Sequence, residues 1–165
     1  MAKRKRRDNE PGEFSDPLKN YNGAEYADDL ERSLAEDQVT VIKSTPVVTI
    51  TPDTTIGDAV ARMAELEIGS VLVTEDDRLV GILSQRDVLK RIALNFDALK
   101  DQPIRDHMTP DPVKVYVTDP PAKALNLMAV HNLRHVPIVD VDDKVVGLLG
   151  PRRVTSYLRE YAATT

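Results

Sequence analysis

An α+β fold, in which two β-α-β-β-α units pack sheet to sheet with pseudo-two-fold symmetry, is predicted by an internal repeat in this chain of 165 residues. Residues 55–63 have apolar side chains at helical spacing, and residues 120–128 repeat the pattern 65 positions later. In both places two apolar segments follow, separated by an acidic turn. A unit of about 50 to 60 residues buries too little apolar surface to fold alone. The two units are therefore expected to share one core.

The apolar segments after each helix are predicted to be strands. In the first unit, called copy one, they lie at 70–73 and 79–83, and in copy two they lie at 135–139 and 145–149. Each copy ends in a further short helix.

These patterns divide the chain into four parts. We expect a disordered basic and polar tail over residues 1–20, an N-terminal helix over 21–40, copy one over 41–98 and copy two over 99–165. Within copy one, Val71 and Leu72 are expected to belong to the core rather than to a ligand wall.

The N-terminal helix is predicted because apolar side chains recur every four residues between 24 and 38. Asn22 or Gly23 is a suitable residue to begin it. A single narrow apolar stripe needs a partner surface, either on the body of the module or on a second subunit. The residues of the stripe are Tyr26, Leu30 and Leu34.

The net charge of −5 is unevenly distributed. Residues 3–7 carry five positive charges, so the remainder carries −5 minus 5, or −10. An acidic body repels nucleic-acid phosphates, so nucleic-acid binding is not expected there. The basic run is either a solvated end or an arm that touches nucleic acid or an anionic surface. The chain has no Cys and no apolar run of the roughly 20 residues that span a bilayer. We therefore expect a cytoplasmic protein with no membrane segment.

Short motifs recur in the same order in both copies: residues 68–73 and 81–87 in copy one, and 108–110, 133–140 and 147–149 in copy two. Together they resemble the CBS-domain family in its tandem form, the Bateman module, and the resemblance runs from about Val41 to Tyr161. It implies a ligand-sensing regulatory module rather than an enzyme. Such modules bind adenosine-containing nucleotides such as AMP, ADP or ATP in clefts between the two halves, often form homodimers and modulate a partner protein.

Copy one contains the family's Ser/Thr-x-x-Asp pattern as Ser84-Gln85-Arg86-Asp87. The resemblance implies that the Asp87 carboxylate accepts hydrogen bonds from ribose hydroxyls, with Ser84 supporting the ribose or the phosphate. An acid here can also be the N-cap or first-turn acid of the next helix, and the two roles can coexist. Thr54, at the entry to the first helix, matches a position that offers polar contacts to the base, or it is a simple cap or turn residue.

Copy two departs from the pattern, because Gly150 and Arg153 stand where copy one has its Ser and Asp. A guanidinium has five donors and no acceptor, so Arg153 cannot hold a ribose diol as a carboxylate does. We expect it to bind a phosphate or to be structural. The resemblance implies that Arg134 and His135 bind phosphate, so that copy two supplies basic groups to a nucleotide whose ribose copy one holds. The alternative is a surface Arg and a partly buried His.

Neither catalysis nor a metal site is expected. The three His residues do not show metal-ligand spacing, and the chain has no Gly-rich phosphate loop and no nucleophile motif. The alternative to a nucleotide sensor is a ligand-free module for protein interaction or dimerisation, which the altered site of copy two and the N-terminal helix would suit.

Overall fold

The computed structural model describes residues 24–42 and 47–162, and the predicted disordered tail lies outside this described part. No helix in the described ranges is long and apolar enough to cross a membrane. In chain order the helices and strands are α1 (Asp29–Glu36), β1 (Thr49–Ile50), α2 (Ile56–Glu65), β2 (Ser70–Glu75), β3 (Arg78–Ser84), α3 (Gln85–Asp87), α4 (Phe96–Leu99), β4 (Thr109–Pro110), β5 (Val115–Tyr116), α5 (Pro121–Val130), β6 (Val136–Val139), β7 (Val145–Leu149) and α6 (Pro151–Ala162).

The strands form one sheet for each copy. In the first sheet β1 runs parallel to β2, and β2, β3 and β4 are antiparallel neighbours. In the second sheet β5 runs parallel to β6, and β6 is antiparallel to β7. Each parallel pair needs a crossover, which α2 and α5 supply. The predicted order of elements is therefore confirmed in both copies.

Local capping explains where the crossover helices begin. The side chain of Thr55 accepts a hydrogen bond from the Asp58 amide at the start of α2. Helix α5 begins instead with Pro121, whose fixed φ suits a first helical position and whose missing amide proton costs no hydrogen bond there. The equivalent helices of the two copies thus begin differently, α2 with a side-chain cap and α5 with a proline.

Among the described residues, three apolar clusters make up the core, and alternation along the strands separates them. Val71 and Val73 of β2 face the helices of copy one, whereas Leu72 between them faces the other sheet. There it packs with residues from both copies, which confirms the predicted packing of sheet on sheet. Val71 and Leu72 are both fully buried, as expected of core residues. The cluster between the sheets contains Leu72, Leu79, Ile82, Val139 and Leu148.

The segment ahead of each copy crosses over and packs on the other copy. The leading segment of copy one, residues 29–42, places Val39 and Ile42 in the core of copy two. The leading segment of copy two, residues 94–110, places Ile104 in the core of copy one. The Val39 amide donates to the Asp119 carbonyl at 2.7 Å, and the Ile104 amide donates to the Thr54 carbonyl at 2.9 Å. Ile104 lies 65 positions after Val39, and Asp119 lies 65 positions after Thr54, so the two hydrogen bonds are equivalent. The leading segment is therefore part of the repeated unit.

Helix α1 begins later than the sequence indicated. It starts at Asp29, not near Asn22 or Gly23, because Asp28 is extended and its carboxylate accepts a hydrogen bond from the Glu31 amide at 2.7 Å. Leu30 and Leu34 pack against the core of copy two, so the partner surface of the helix is the body of the module. Tyr26 precedes the helix, and its hydroxyl donates to Glu36.

Candidate functional site

A cleft of about 290 Å³ lies between the two copies. Copy one contributes the end of β3 and the start of α3, and copy two contributes the loop from α5 to β6. Side chains of residues 109–113, here called the linker, also line the cleft. The cleft brings together Ser84, Asp87, Arg134 and His135, four of the five residues predicted to bind a ligand. The lining residues are Gly69, Ile82, Ser84, Gln85, Arg86, Asp87, Thr109, Asp111, Pro112, Val113, Asn132, Leu133, Arg134 and His135.

Ser84 and Asp87 are fixed by a reciprocal cap at the start of α3. The Asp87 amide donates to the Ser84 hydroxyl oxygen, and the Oδ2 atom of Asp87 accepts from the Ser84 amide at 3.0 Å and from the Ser84 hydroxyl at 2.5 Å. The helix-capping role considered for Asp87 therefore exists. It leaves the carboxylate at the cleft wall, with 16% of the side chain exposed.

The other carboxylate oxygen of Asp87 is bound by Arg91 from the following helical turn. The same Arg91 Nη2 atom donates to the Thr109 hydroxyl at 2.8 Å, and Nη1 donates to the His107 carbonyl at 3.3 Å. Arg91 thus joins α3 of copy one to the leading segment of copy two. Asp87 and Thr109 line the cleft, whereas Arg91 stands behind them.

His135 lies where the two copies meet. A β-carbon placed on Gly69 would lie 2.6 Å from His135 Cε1, and one on Gly150 would lie 3.3 Å from its Cδ2, so the imidazole packs on both glycines. Burial lowers the pKa of His135 below its ordinary value, and the charge of Arg134 lowers it further. In the free protein at neutral pH the ring is therefore an uncharged donor and acceptor.

Arg86 also links the copies at the cleft rim. Its Nη1 atom donates to the Asn132 carbonyl at 3.1 Å, in the loop between α5 and β6. Arg134 follows in the same loop with an exposed side chain. Copy two thus contributes the Arg134 guanidinium and the His135 imidazole to the cleft, and Arg86 adds a second guanidinium from the copy-one side.

Thr54 is not among the residues that line this cleft. Its hydroxyl lies 3.3 Å from that of Thr51, and it borders a separate depression with Asp58 and Arg62. The reason is the exchange of leading segments: the polar groups beside Asp87 come from the segment that crosses over from copy two. The structure gives no support for Thr54 as a base contact in the cleft of Asp87.

Arg153 lies outside the cleft as well. Its Nε atom is buried and has no hydrogen-bond partner among the described residues. The structure does not bring it together with Arg134 and His135 in the cleft lining. Its predicted phosphate or structural role stays a prediction.

Sequence reasoning missed the contribution of the linker, namely Thr109, Asp111 and Val113. A signal was present, because a Thr-Pro pair precedes the first strand of each copy, at 45–46 and at 109–110. The pairing of β4 with β3, in which Thr109 lies opposite Ile82, carries this linker to the end of α3.

Chemically, the cleft offers three kinds of contact. Apolar side chains from both copies, the acceptors Asp87 and Ser84, and basic groups all line it. The cleft can therefore accommodate a ligand that combines apolar, hydroxyl and anionic groups. The apolar lining residues are Ile82, Pro112, Val113 and Leu133.

Comparison with known proteins agrees with this architecture. A family model described as CBS domain matches residues 39–94 and 104–160. An uncharacterized 17.7 kDa protein of Acidianus ambivalens is 34% identical over 116 residues, which cover 70% of this chain and 69% of that protein. An inosine-5'-monophosphate dehydrogenase of Methanocaldococcus jannaschii is 32% identical over 111 residues, but these cover only 21% of the enzyme and 66% of this chain.

Solved structures show the same fold. A CBS-domain protein from Pyrobaculum aerophilum, complexed with AMP, superposes with a TM-score of 0.66 at 27% sequence identity, covering 76% of this chain and 98% of that chain. The fold, the two matched regions and the relatives agree, and the chain belongs to the CBS-domain family as a tandem pair.

Proposed function

We propose that this chain binds an adenosine-containing nucleotide, of the AMP, ADP or ATP type, in the cleft between its copies, and modulates a partner protein in response. The observation that carries the proposal is the meeting of Ser84 and Asp87 from copy one with Arg134 and His135 from copy two in one cleft. The AMP complex of the Pyrobaculum relative supports the choice of ligand. The chain acts as a regulatory module and not as an enzyme.

The residues divide the ligand between the two copies. Asp87 accepts a hydrogen bond from the ribose hydroxyls at Oδ1, which has a lone pair that neither the helix cap nor Arg91 uses, and Ser84 stands beside it. Arg134, His135 and Arg86 face the phosphate. Since copy two lacks a carboxylate at the position of Arg153, we propose one ordinary nucleotide site per chain.

The test is ligand-induced stabilisation of the full chain with AMP, ADP and ATP. A ligand that binds only the folded state stabilises it by about 2.7 kcal/mol at a hundredfold excess over its dissociation constant. We expect this stabilisation for at least one nucleotide, and its loss in Asp87→Asn. That variant keeps an oxygen for the helix cap but removes the charge that strengthens the ribose contact.

The matched control is Asp97→Asn, which removes an exposed acid on α4 and should leave the stabilisation intact. Absence of stabilisation by all three nucleotides would contradict the proposal. Homodimer formation stays a prediction, which light scattering tests: a mass of one chain would exclude it.

A further inference from the structure

Arg91 makes contacts that the nucleotide cleft depends on, although it does not line the cleft. Its guanidinium binds three oxygens: a carboxylate oxygen of Asp87, the Thr109 hydroxyl at 2.8 Å and the His107 carbonyl at 3.3 Å. The first oxygen belongs to copy one and the other two belong to the leading segment of copy two. Asp87 and Thr109 both line the cleft, and both accept from the Nη2 atom of Arg91.

A guanidinium is suited to fixing such a spacing. It is planar and permanently charged, and its N–H donors point in fixed directions, so that the two acceptors bound by Nη2 and the one bound by Nη1 keep a constant separation. The backbone also connects the two residues, because β4 pairs with β3 and the Asp111 amide donates to the Val80 carbonyl at 3.1 Å. Arg91 adds a direct side-chain link between Asp87 and Thr109.

The two copies differ at the position of Arg91 in the same way as they differ at the position of Asp87. The offset of 66 carries Asp87 onto Arg153 and Arg91 onto Tyr157. Tyr157 is buried, and its hydroxyl lies 2.8 Å from that of Ser33. In copy two this position therefore makes a contact with α1. The cation at this position is present where the acid is present and absent where the acid is lost.

We propose that Arg91 is a positioning residue of the nucleotide cleft, which holds the Asp87 carboxylate of copy one and the Thr109 hydroxyl of copy two at the spacing that the ligand requires. The inference rests on the proposed function. The Arg91 side chain is 44% exposed, and ion pairs at such places add little to folding stability. Its contribution should therefore be found in ligand binding and not in the melting temperature of the free protein.

The experiment is a double-mutant cycle measured by calorimetric titration of the full chain with AMP. We expect Arg91→Met to weaken binding about tenfold and Thr109→Val to weaken it about threefold. The double variant should be weakened about tenfold as well, because the second change removes a contact already lost, whereas independent residues would give about thirtyfold. Arg91→Lys should recover only part of the affinity, since an ammonium lacks these fixed donor directions.

Lys90→Met is the matched control, because it removes an exposed cation at the neighbouring position and should leave AMP affinity unchanged. Additive losses, or equal losses in Lys90→Met and Arg91→Met, would overturn the positioning role and indicate an effect of charge alone. Wild-type affinity in Arg91→Met would overturn it outright while leaving the proposed function intact.

Failure of the wild-type chain to bind AMP, ADP or ATP would instead contradict the proposed function. Hydrogen exchange of the free protein then decides the inference. Faster exchange of the amides of residues 107–111 in Arg91→Met than in Lys90→Met would support the link between the copies, and equal exchange would overturn it.

Discussion

Asp87 combines a structural and a binding role in one carboxylate. Its Oδ2 atom closes the cap of α3 through Ser84, and its Oδ1 atom is bound by Arg91. These contacts immobilise the group before any ligand arrives, so that ordering it does not have to be offset by binding energy. A cap that faces a cleft is thus a preorganised acceptor.

His135 should make the free protein sensitive to mild acid. Burial and Arg134 lower its pKa in the folded state, so the unfolded chain takes up a proton at a higher pH than the folded protein does. The stability that the neutral ring contributes is complete above the unfolded value of about 6.5 and is lost as the pH falls below it. We expect the free energy of unfolding to decrease between pH about 7.5 and about 5.5, and less so in His135→Gln.

Urea unfolding at the two pH values measures this difference. His131→Gln, which replaces an exposed histidine on the preceding helix end, is the matched control and should keep the wild-type pH dependence. An unchanged pH dependence in His135→Gln would show that other groups cause the loss.

At the scale of elements, the exchange of leading segments joins the copies more firmly than sheet packing alone. Helix α1 precedes copy one in the chain but covers α5 and α6 of copy two. Ser33 of α1 is 4% exposed, and its hydroxyl lies 2.8 Å from that of Tyr157 and 2.9 Å from that of Tyr161. This buried cluster is the polar anchor of the exchange.

Removing the Ser33 hydroxyl should destabilise the protein by weakening the attachment of α1 to copy two. We expect Ser33→Ala to lower the free energy of unfolding by about 1 to 3 kcal/mol, because the buried Tyr157 hydroxyl loses its partner. Ser156→Ala, at an exposed position of α6, should change it by less than about 0.5 kcal/mol. Chemical denaturation measures both.

Amide hydrogen exchange tests whether α1 stabilises copy two in particular or the whole protein. Relative to the wild-type protein, Ser33→Ala should accelerate exchange of the amides of α5 and α6 more than that of the amides of β2 and β3. Uniform acceleration in both copies would contradict a separate attachment of α1 to copy two.

The elements that the sequence predicted are those with a strong apolar period. Helices α2 and α5 follow the spacing of their apolar residues, and β2, β3, β6 and β7 follow their apolar runs. The start of α1 was misplaced because Asp28 and Asp29 are adjacent, and only the extended backbone of Asp28 shows which of them caps the helix. The exchange was not predictable, because a repeat establishes that two segments are alike and not which surface each one covers.

At the scale of the whole molecule, the cleft is lined by residues of both copies, and the leading segment of copy two reaches it by packing on copy one. The family resemblance singled out Ser84 and Asp87 by a local motif and Arg134 and His135 by matching positions, and the structure brings these four residues together in one cleft. Thr109, Asp111 and Val113 reach the same cleft only through the pairing of β4 with the sheet of the other copy. For the same reason the predicted partner Thr54 lies elsewhere.

Gly69 and His135 are in close contact where the two copies meet at the cleft. Gly69 belongs to copy one, and a methyl group on it would lie 2.6 Å from the imidazole of copy two, closer than two unbonded carbons can approach. We expect Gly69→Ala to destabilise the protein by about 1 to 3 kcal/mol and to weaken AMP binding, because the ring must leave its place. Gly150→Ala, where the contact would be 3.3 Å, should cost less.

The cause of the Gly69→Ala effect can be isolated in a His135→Ala background, where the ring is absent. There the added methyl group should cost little stability, while AMP binding stays weak because the imidazole is missing. Calorimetric melting and titration of the four variants measure the coupling. An equal cost of Gly69→Ala in both backgrounds would mean that the strain arises within copy one and that His135 does not determine how closely the two copies approach.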